Sequence, residues 1–318
     1  MKTLVRTAVA AVVVALGAGC APASAQVDAA TRREVVDSVA RVVERLYVSP
    51  DTGRLIAERL RRLERAGAYG EASTFPQLAQ ALTADLQALN GDGHLNVRHE
   101  GDGPSSGGPS RVAPQEPANG GIEEVRRLEG NVGYLRLSRF AGEGSLGAAT
   151  EALRALGDTD AMIFDVRGVP GGTARMSNFI ISHFTAPRLL SLSRYDRARG
   201  DTIHRYTLAE VPGPRRPDVP LYVLTDGRSF SAAEDFAFVL QSLGRAVVVG
   251  ERTGGGGRNN RHVPVGHGLV LSVSHTNVFD PRTGKGWEKV GVQPDVAVPA
   301  ADALTAAHRE ALKKLGRS

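Results

Sequence analysis

Two turns and one histidine corner hold the residues of this 318-residue chain that could do chemistry. The first turn is Thr225-Asp226-Gly227-Arg228-Ser229-Phe230-Ser231-Ala232-Ala233-Glu234, which follows an apolar run and sets a serine at the start of a helix. That arrangement presents a hydroxyl beside N–H groups the helix has not yet used, as a nucleophile elbow does. The same residues also read as a helix cap, with Ser231 and Glu234 forming a capping box, and local sequence alone favours that plainer reading. The second turn is Asp165-Val166-Arg167-Gly168-Val169-Pro170-Gly171-Gly172. Its paired glycines leave N–H groups uncovered at a helix start, where they could hold the oxyanion of an acyl-transfer intermediate. An ordinary tight turn with Asp165 pairing Arg167 fits equally well. A serine hydroxyl is too weak an acid to attack unaided, so a base is required. His94, in Asn90-Gly91-Asp92-Gly93-His94-Leu95, occupies a glycine-rich corner where Asp92 either orients it or simply shapes the turn. The other histidines show no spacing suited to a metal, and no cofactor is implied.

The elements that must position these residues fall into two textures. From about residue 29 to 90 the pattern is helical: Val35, Val36, Val39, Val42, Val43 and Leu46 recur at three- and four-residue spacing. A second helix is expected over Thr52 to Ala66. A third starts at a Thr74/Gln77 capping box with Pro76 in its first turn, turns Leu78, Leu82, Leu86 and Leu89 inward, and stops at Asn90-Gly91. From Ile122 onward, short apolar runs at Val132 to Leu137, Ala161 to Val166, Leu221 to Thr225 and Ala246 to Gly250 suit buried strands. Helices are expected at Ser145 to Leu156, Thr173 to Phe184 and Ser231 to Leu243. Alternating strands and helices imply an α/β sheet with right-handed crossovers, and ligands on such sheets sit where strands end and helices begin. The domain reading is therefore a signal peptide over 1–25, a helical domain over 26–100, a Gly/Pro/Ser-rich linker over 101–121 and an α/β core over 122–318.

Composition excludes several classes of function. Lys2 and Arg6, the apolar run Thr7 to Ala18 and Ala23-Ser24-Ala25 read as an export signal cleaved after Ala25, which places the mature protein in the periplasm or outside the cell. Anchoring as a lipoprotein at Cys20 is the less favoured alternative. Cleavage removes the one cysteine, and with it disulfides and thiol catalysis. It also takes the formal charge from +5 to +3. The arginines are dispersed with few aromatics among them, so nucleic acid is not implied. No later run is long enough for an integral membrane segment. A third glycine cluster, Gly250 to Gly257, lacks the lysine and hydroxyl of a phosphate-binding loop. Lys285 to Asp295 places Glu288 among turn residues and is unremarkable alone.

Taken together these segments resemble the tail-specific (C-terminal processing) peptidase superfamily, on the branch of the tricorn protease core and the interphotoreceptor retinoid-binding protein repeats. The motifs that carry the resemblance are Asp92-Gly93-His94-Leu95, Asp165 to Gly172, Ser229 to Glu234, Val249 to Gly256 and Trp287 to Asp295, in the family's order. The resemblance implies an α/β core of the Clp protease/crotonase-like type with an N-terminal helical bundle, and a serine peptidase acting on peptides or unfolded protein. Carried over residue by residue, Ser231 is the nucleophile, His94 the base and Glu288 the support of the charge relay. The N–H of Gly171 or Gly172, with that of Ala232, forms the oxyanion hole. The lysine of the family's Ser-Lys branch falls on Gly256, so that dyad is absent, and Gly93 replaces a serine that usually precedes the histidine. No PDZ domain is expected, because only the linker stands where the processing peptidases carry one. The pattern predicts an activity limb near the ordinary histidine pKa of about 6.5. A non-catalytic protein binding apolar ligands, as retinoid-binding relatives do, and an esterase are the alternatives, and self-association into a homo-oligomer stays open.

Overall fold

The computed structural model of the chain describes residues 27–100, 117 and 119–317. The expected signal peptide, Cys20 and nearly all of the expected linker lie outside the described residues.

The helical region is α1 (Ala29–Leu46), α2 (Pro50–Arg65) and α3 (Phe75–Asn90). Asp28 caps α1 by accepting the Thr31 N–H at 2.7 Å, and the valine stripe is buried. Thr74 caps α3, accepting the Gln77 N–H at 3.4 Å. The expected capping box closes one residue early, because Gln77 Oε1 accepts the N–H of Ser73 rather than of Thr74, at 3.0 Å. Leu78, Leu82 and Leu86 are buried, whereas Leu89, expected inward, is 41% exposed on the last turn before the chain leaves the helix. Gly91 ends α3 in the left-handed region, φ 68°, where a side chain is disfavoured.

The chain continues through β1 (Asn96–His99), β2 (Ile122–Leu128), β3 (Val132–Leu137), α4 (Leu146–Ala155), β4 (Ala161–Asp165) and α5 (Ala174–His183). Next come β5 (Leu190–Asp196), β6 (Asp201–Tyr206), β7 (Leu221–Thr225), α6 (Ala232–Ser242) and β8 (Ala246–Gly250). The last elements are β9 (Asn260–Gly266), β10 (Leu269–Ser274), β11 (Thr276–Phe279), β12 (Val296–Ala297) and α7 (Ala303–Lys314). The main sheet runs β12-β8-β7-β4-β3-β2, parallel except for the β2–β3 pair. Its central strands are buried on both faces, as their unbroken apolar runs require. Leu135, Phe164, Val223 and Val248 pack with the helices that follow the strands, while Tyr134, Ile163, Leu224 and Val249 pack against α7.

Two smaller antiparallel sheets flank this one, β11-β5-β6 and β1-β10-β9. The second ties the helical region to the rest: β1 pairs with β10, and Leu269, Leu271 and Val273 share one apolar cluster with the faces of α1 to α3. That cluster brings the His94 corner, at the start of β1, back to the core. Between β1 and β2 only residues 100–121 intervene, far too few for a PDZ domain.

Candidate active site

The serine turn is built from the end of β7. Asp226 Oδ1 accepts the N–H groups of Gly168, Arg228 and Ser229 at 2.9, 3.0 and 2.9 Å, which clamps this turn to the glycine turn after β4. Ser229 Oγ donates to the Val166 carbonyl at 2.8 Å, and the Phe230 N–H donates to the Val169 carbonyl at 3.0 Å. Ser231 then takes φ 53° and ψ −113°, a conformation unfavourable for a side chain, at the N-terminus of α6. Strain of this kind lifts a side chain out of the chain's path and is held only because its neighbours over-determine it.

Glu234 does most of that holding. It is fully buried, and its Oε2 accepts the Ser231 N–H at 2.8 Å and the Gly256 N–H at 2.7 Å. Its Oε1 accepts Thr253 Oγ1–H and the Gly255 N–H, both at 2.6 Å. Burial pushes the carboxyl above its ordinary value, and the bonds from Thr253, Gly255, Gly256 and Ser231 pull it back. Sequence reading sees only the capping half of this role. The half that reaches the loop over 253–256 has no local signal.

The glycine turn lies directly against the serine. Gly171 and Gly172 have φ 114° and 137°. A Cβ on Gly171 would sit 2.8 Å from Ser231 Cβ, and one on Gly172 would collide with the Phe140 carbonyl oxygen. The Phe140 N–H donates to the Gly171 carbonyl at 2.9 Å and the Thr173 N–H to the Phe140 carbonyl at 2.7 Å, so the turn is pinned on both sides. The plainer reading of the turn also holds, since Arg167 Nε donates to Asp165 Oδ1 at 2.9 Å. Among the described residues the N–H groups of Gly172 and Ala232 have no acceptor. Both residues line, with Ser231, a cleft of about 440 Å³. Its apolar wall includes Leu192, Ile203, Val278 and Trp287, and its polar wall includes Arg194, His204 and Arg258.

His94 is not among the residues that line this cleft. Its ring stacks on Phe230, the residue before the serine, with centroids 4.8 Å apart at 34°. Its backbone N–H donates to Asp92 Oδ1 at 3.0 Å, and its carbonyl accepts Ser272 Oγ–H at 2.6 Å. Nδ1 is buried with no hydrogen-bond partner, and no hydrogen bond joins the ring to Ser231. Burial lowers the imidazole pKa below 6.5, Asp92 opposes this and Arg258 reinforces it. Gly93 has a steric reason to replace serine: a Cβ there would lie 3.2 Å from Phe230 Cζ.

Glu288 faces elsewhere than the direct relay to His94 requires. Its Oε2 accepts the Gly257 N–H at 2.8 Å, and its Oε1 lies 3.4 Å from Arg258 Nη1. Burial raises its pKa to about 7, the charge of Asp92 adds to the rise, and Arg258, the Gly257 N–H and Lys289 act against it. Arg258 is therefore the residue between the two predicted partners, and sequence reading missed it. It follows the glycine cluster as one more dispersed arginine, with nothing in its neighbours to mark it. Another imidazole, His204, lines the cleft itself, with Nδ1 2.8 Å from Ser193 Oγ.

The profile of peptidase family S41 matches residues 131–298, and that of the N-terminal domain of Peptidase_S41 in eukaryotic IRBP matches residues 28–126. The chain belongs to peptidase family S41. It is 28% identical over 184 residues to the carboxy-terminal processing protease CtpB of Bacillus subtilis (strain 168), an alignment covering 57% of this chain and 37% of that protein. The chain thus spans well under half the length of that curated relative. In fold it is similar to a lipoprotein from Streptococcus agalactiae, with TM-score 0.64, 14% identity and coverage of 89% of this chain and 96% of that one. It is also similar to the tricorn protease, with TM-score 0.59, 16% identity and coverage of 91% and 37%. The α/β core with a helical N-terminal region is the architecture these proteins share. No described helix is long and apolar enough to cross a membrane.

Proposed function

We propose that this chain is an exported serine peptidase that cleaves peptides or unfolded protein through an acyl-enzyme formed on Ser231. The observation that carries the reading is the strained Ser231 at a helix N-terminus, in van der Waals reach of Gly171 and beside the unused N–H groups of Gly172 and Ala232. A serine that served only as a cap would have no need of this backbone conformation. In the reaction His94 takes the hydroxyl proton as Ser231 Oγ attacks the scissile carbonyl, and the two N–H groups hold the oxyanion. Collapse of the tetrahedral intermediate breaks the C–N bond, and the imidazolium returns its proton to the leaving amine. Water then attacks the acyl carbonyl as the same imidazole takes its proton, and collapse breaks the bond to Ser231 Oγ, which regains that proton as the acid leaves. Oxyanion donors and the base each supply several kcal/mol of such a barrier. Glu288 supports the imidazolium at one remove, through Arg258 and Asp92.

Labelling with a fluorophosphonate, followed by peptide mapping, tests the reading: modification is expected at Ser231 and absent from Ser231→Ala. A second reading, a non-catalytic protein for apolar ligands, draws on the N-terminal match to the IRBP domain and on the apolar wall of the cleft. An unlabelled Ser231 in a folded protein that binds an apolar fluorophore at the cleft decides for it.

A further inference from the structure

One guanidinium lies between two buried carboxylates where the helical region meets the core. Arg258 Nη1 donates to Asp92 Oδ2 at 3.0 Å and to the Tyr47 hydroxyl oxygen, and it faces Glu288 Oε1 at 3.4 Å. The guanidinium also sits over the Tyr47 ring, 5.4 Å from its centroid. The side chains of Arg258, Asp92 and Glu288 are only 14%, 0% and 11% exposed. Asp92 in turn accepts the Tyr47 hydroxyl at 3.0 Å and the backbone N–H of His94 at 3.0 Å. Arg258 also lines the cleft with Ser231, and the N–H of its neighbour Gly257 is held by Glu288.

The arrangement is poorly suited to stability alone. Two carboxylates against one cation leave the charge unbalanced, and a buried ionic cluster is often no better than an apolar one of the same volume. Three polar atoms of the group, Arg258 Nε, Glu288 Oε1 and His94 Nδ1, are buried without a hydrogen-bond partner.

We propose that Arg258 is a positioning residue: it holds Asp92 under His94 and joins that corner, through Glu288, to the loop beside Ser231. The proposal rests on His94 being the base. The charged groups acting on His94 are Asp92 from its own corner and Arg258 from the loop before β9; the turn of Phe230, on which the ring stacks, also carries Asp226, Arg228 and Glu234. Around Arg258 stand Tyr47, Asp92 and Glu288, and Lys289 acts on Glu288. Arg258 opposes protonation of the imidazole and Asp92 favours it, so removing the guanidinium raises the His94 midpoint.

The test is an NMR titration of the His94 ring in the full chain, run beside fluorophosphonate labelling of Ser231 against pH. Arg258→Met is expected to raise the His94 midpoint, move the labelling limb the same way and slow labelling on the order of 10²-fold, the effect of a misplaced group. Arg258→Lys, which keeps the charge but not the fork, is expected to hold the midpoint near wild type while labelling recovers only in part. Glu288, raised to about 7, is already largely protonated where His94 titrates, so Glu288→Gln is expected to leave the midpoint in place. A His94 midpoint that stays put in folded Arg258→Met overturns the proposal, and if that variant does not fold, an unmoved midpoint in Arg258→Gln, which also removes the charge, does so. If wild-type Ser231 takes no label at all, the peptidase reading fails, yet the titration still decides the place of Arg258.

Discussion

The carboxylate of Glu234 accepts the backbone N–H of Ser231 at 2.8 Å while also gathering Thr253, Gly255 and Gly256. One buried side chain thus sets both the nucleophile turn and the loop that runs on to Arg258. Glu234→Ala leaves a buried set of donors without an acceptor, and a loss of about 2–4 kcal/mol is expected. Urea unfolding of the variant measures it, and a loss below about 0.5 kcal/mol, the range of an ordinary surface substitution, contradicts this account of the turn.

Ser231 should separate stability from activity. Ser231→Gly removes the side chain that makes φ 53° unfavourable, so the protein is expected to gain about 1 kcal/mol while labelling and hydrolysis vanish. Ser231→Ala loses activity equally but keeps the strain. Melting curves of the two variants side by side show whether the strain is stored there: equal midpoints mean it is not.

The two glycines differ in what a methyl group meets. At Gly172 it strikes the Phe140 carbonyl, which is backbone and cannot move aside, so Gly172→Ala is expected to cost stability by several kcal/mol. At Gly171 it presses on Ser231 Cβ at 2.8 Å, and the expected result for Gly171→Ala is a larger loss of labelling than of stability. Both positions also have positive φ, which adds a backbone cost to each. The reverse order of effects in labelling and unfolding assays counts against the placement of the oxyanion donors.

Two groups give the protein opposed pH dependences. The His94 pKa is lowered, so the neutral base is present at pH values below the ordinary histidine midpoint of 6.5, and the acid limb of kcat/KM is expected below that pH. His94→Ala removes the limb, whereas His204→Ala leaves it in place; the opposite pair of outcomes makes His204, on the cleft wall, the base. Glu288 works the other way. Its carboxyl is raised from 4.5 to about 7 in the folded protein, so between those values the folded state binds more protons than the unfolded one. Stability on this account falls as pH rises from 4.5 to about 7 and then levels. Glu288→Gln is expected to flatten that slope, and an unchanged slope removes Glu288 as its source.

The sequence by itself determined the α/β alternation, because largely buried strands read as short apolar runs: Val132–Leu137, Leu221–Thr225 and Ala246–Gly250 lie as expected. It also marked the turns at Asp165 to Gly172 and Ser229 to Glu234, since glycines with positive φ and a serine at a helix start leave local traces. The flanking strands β1, β5, β6, β9 and β11 are short or half exposed, carry no such run and were not legible. Only the tertiary structure decided which charges meet. Arg258 stands 166 positions from Asp92 and shares it with Glu288, and the pairing of β1 with β10 is what closes that distance. A contact between charged residues so far apart in the chain imposes no periodicity and no local spacing, so it exists only once the sheets have formed.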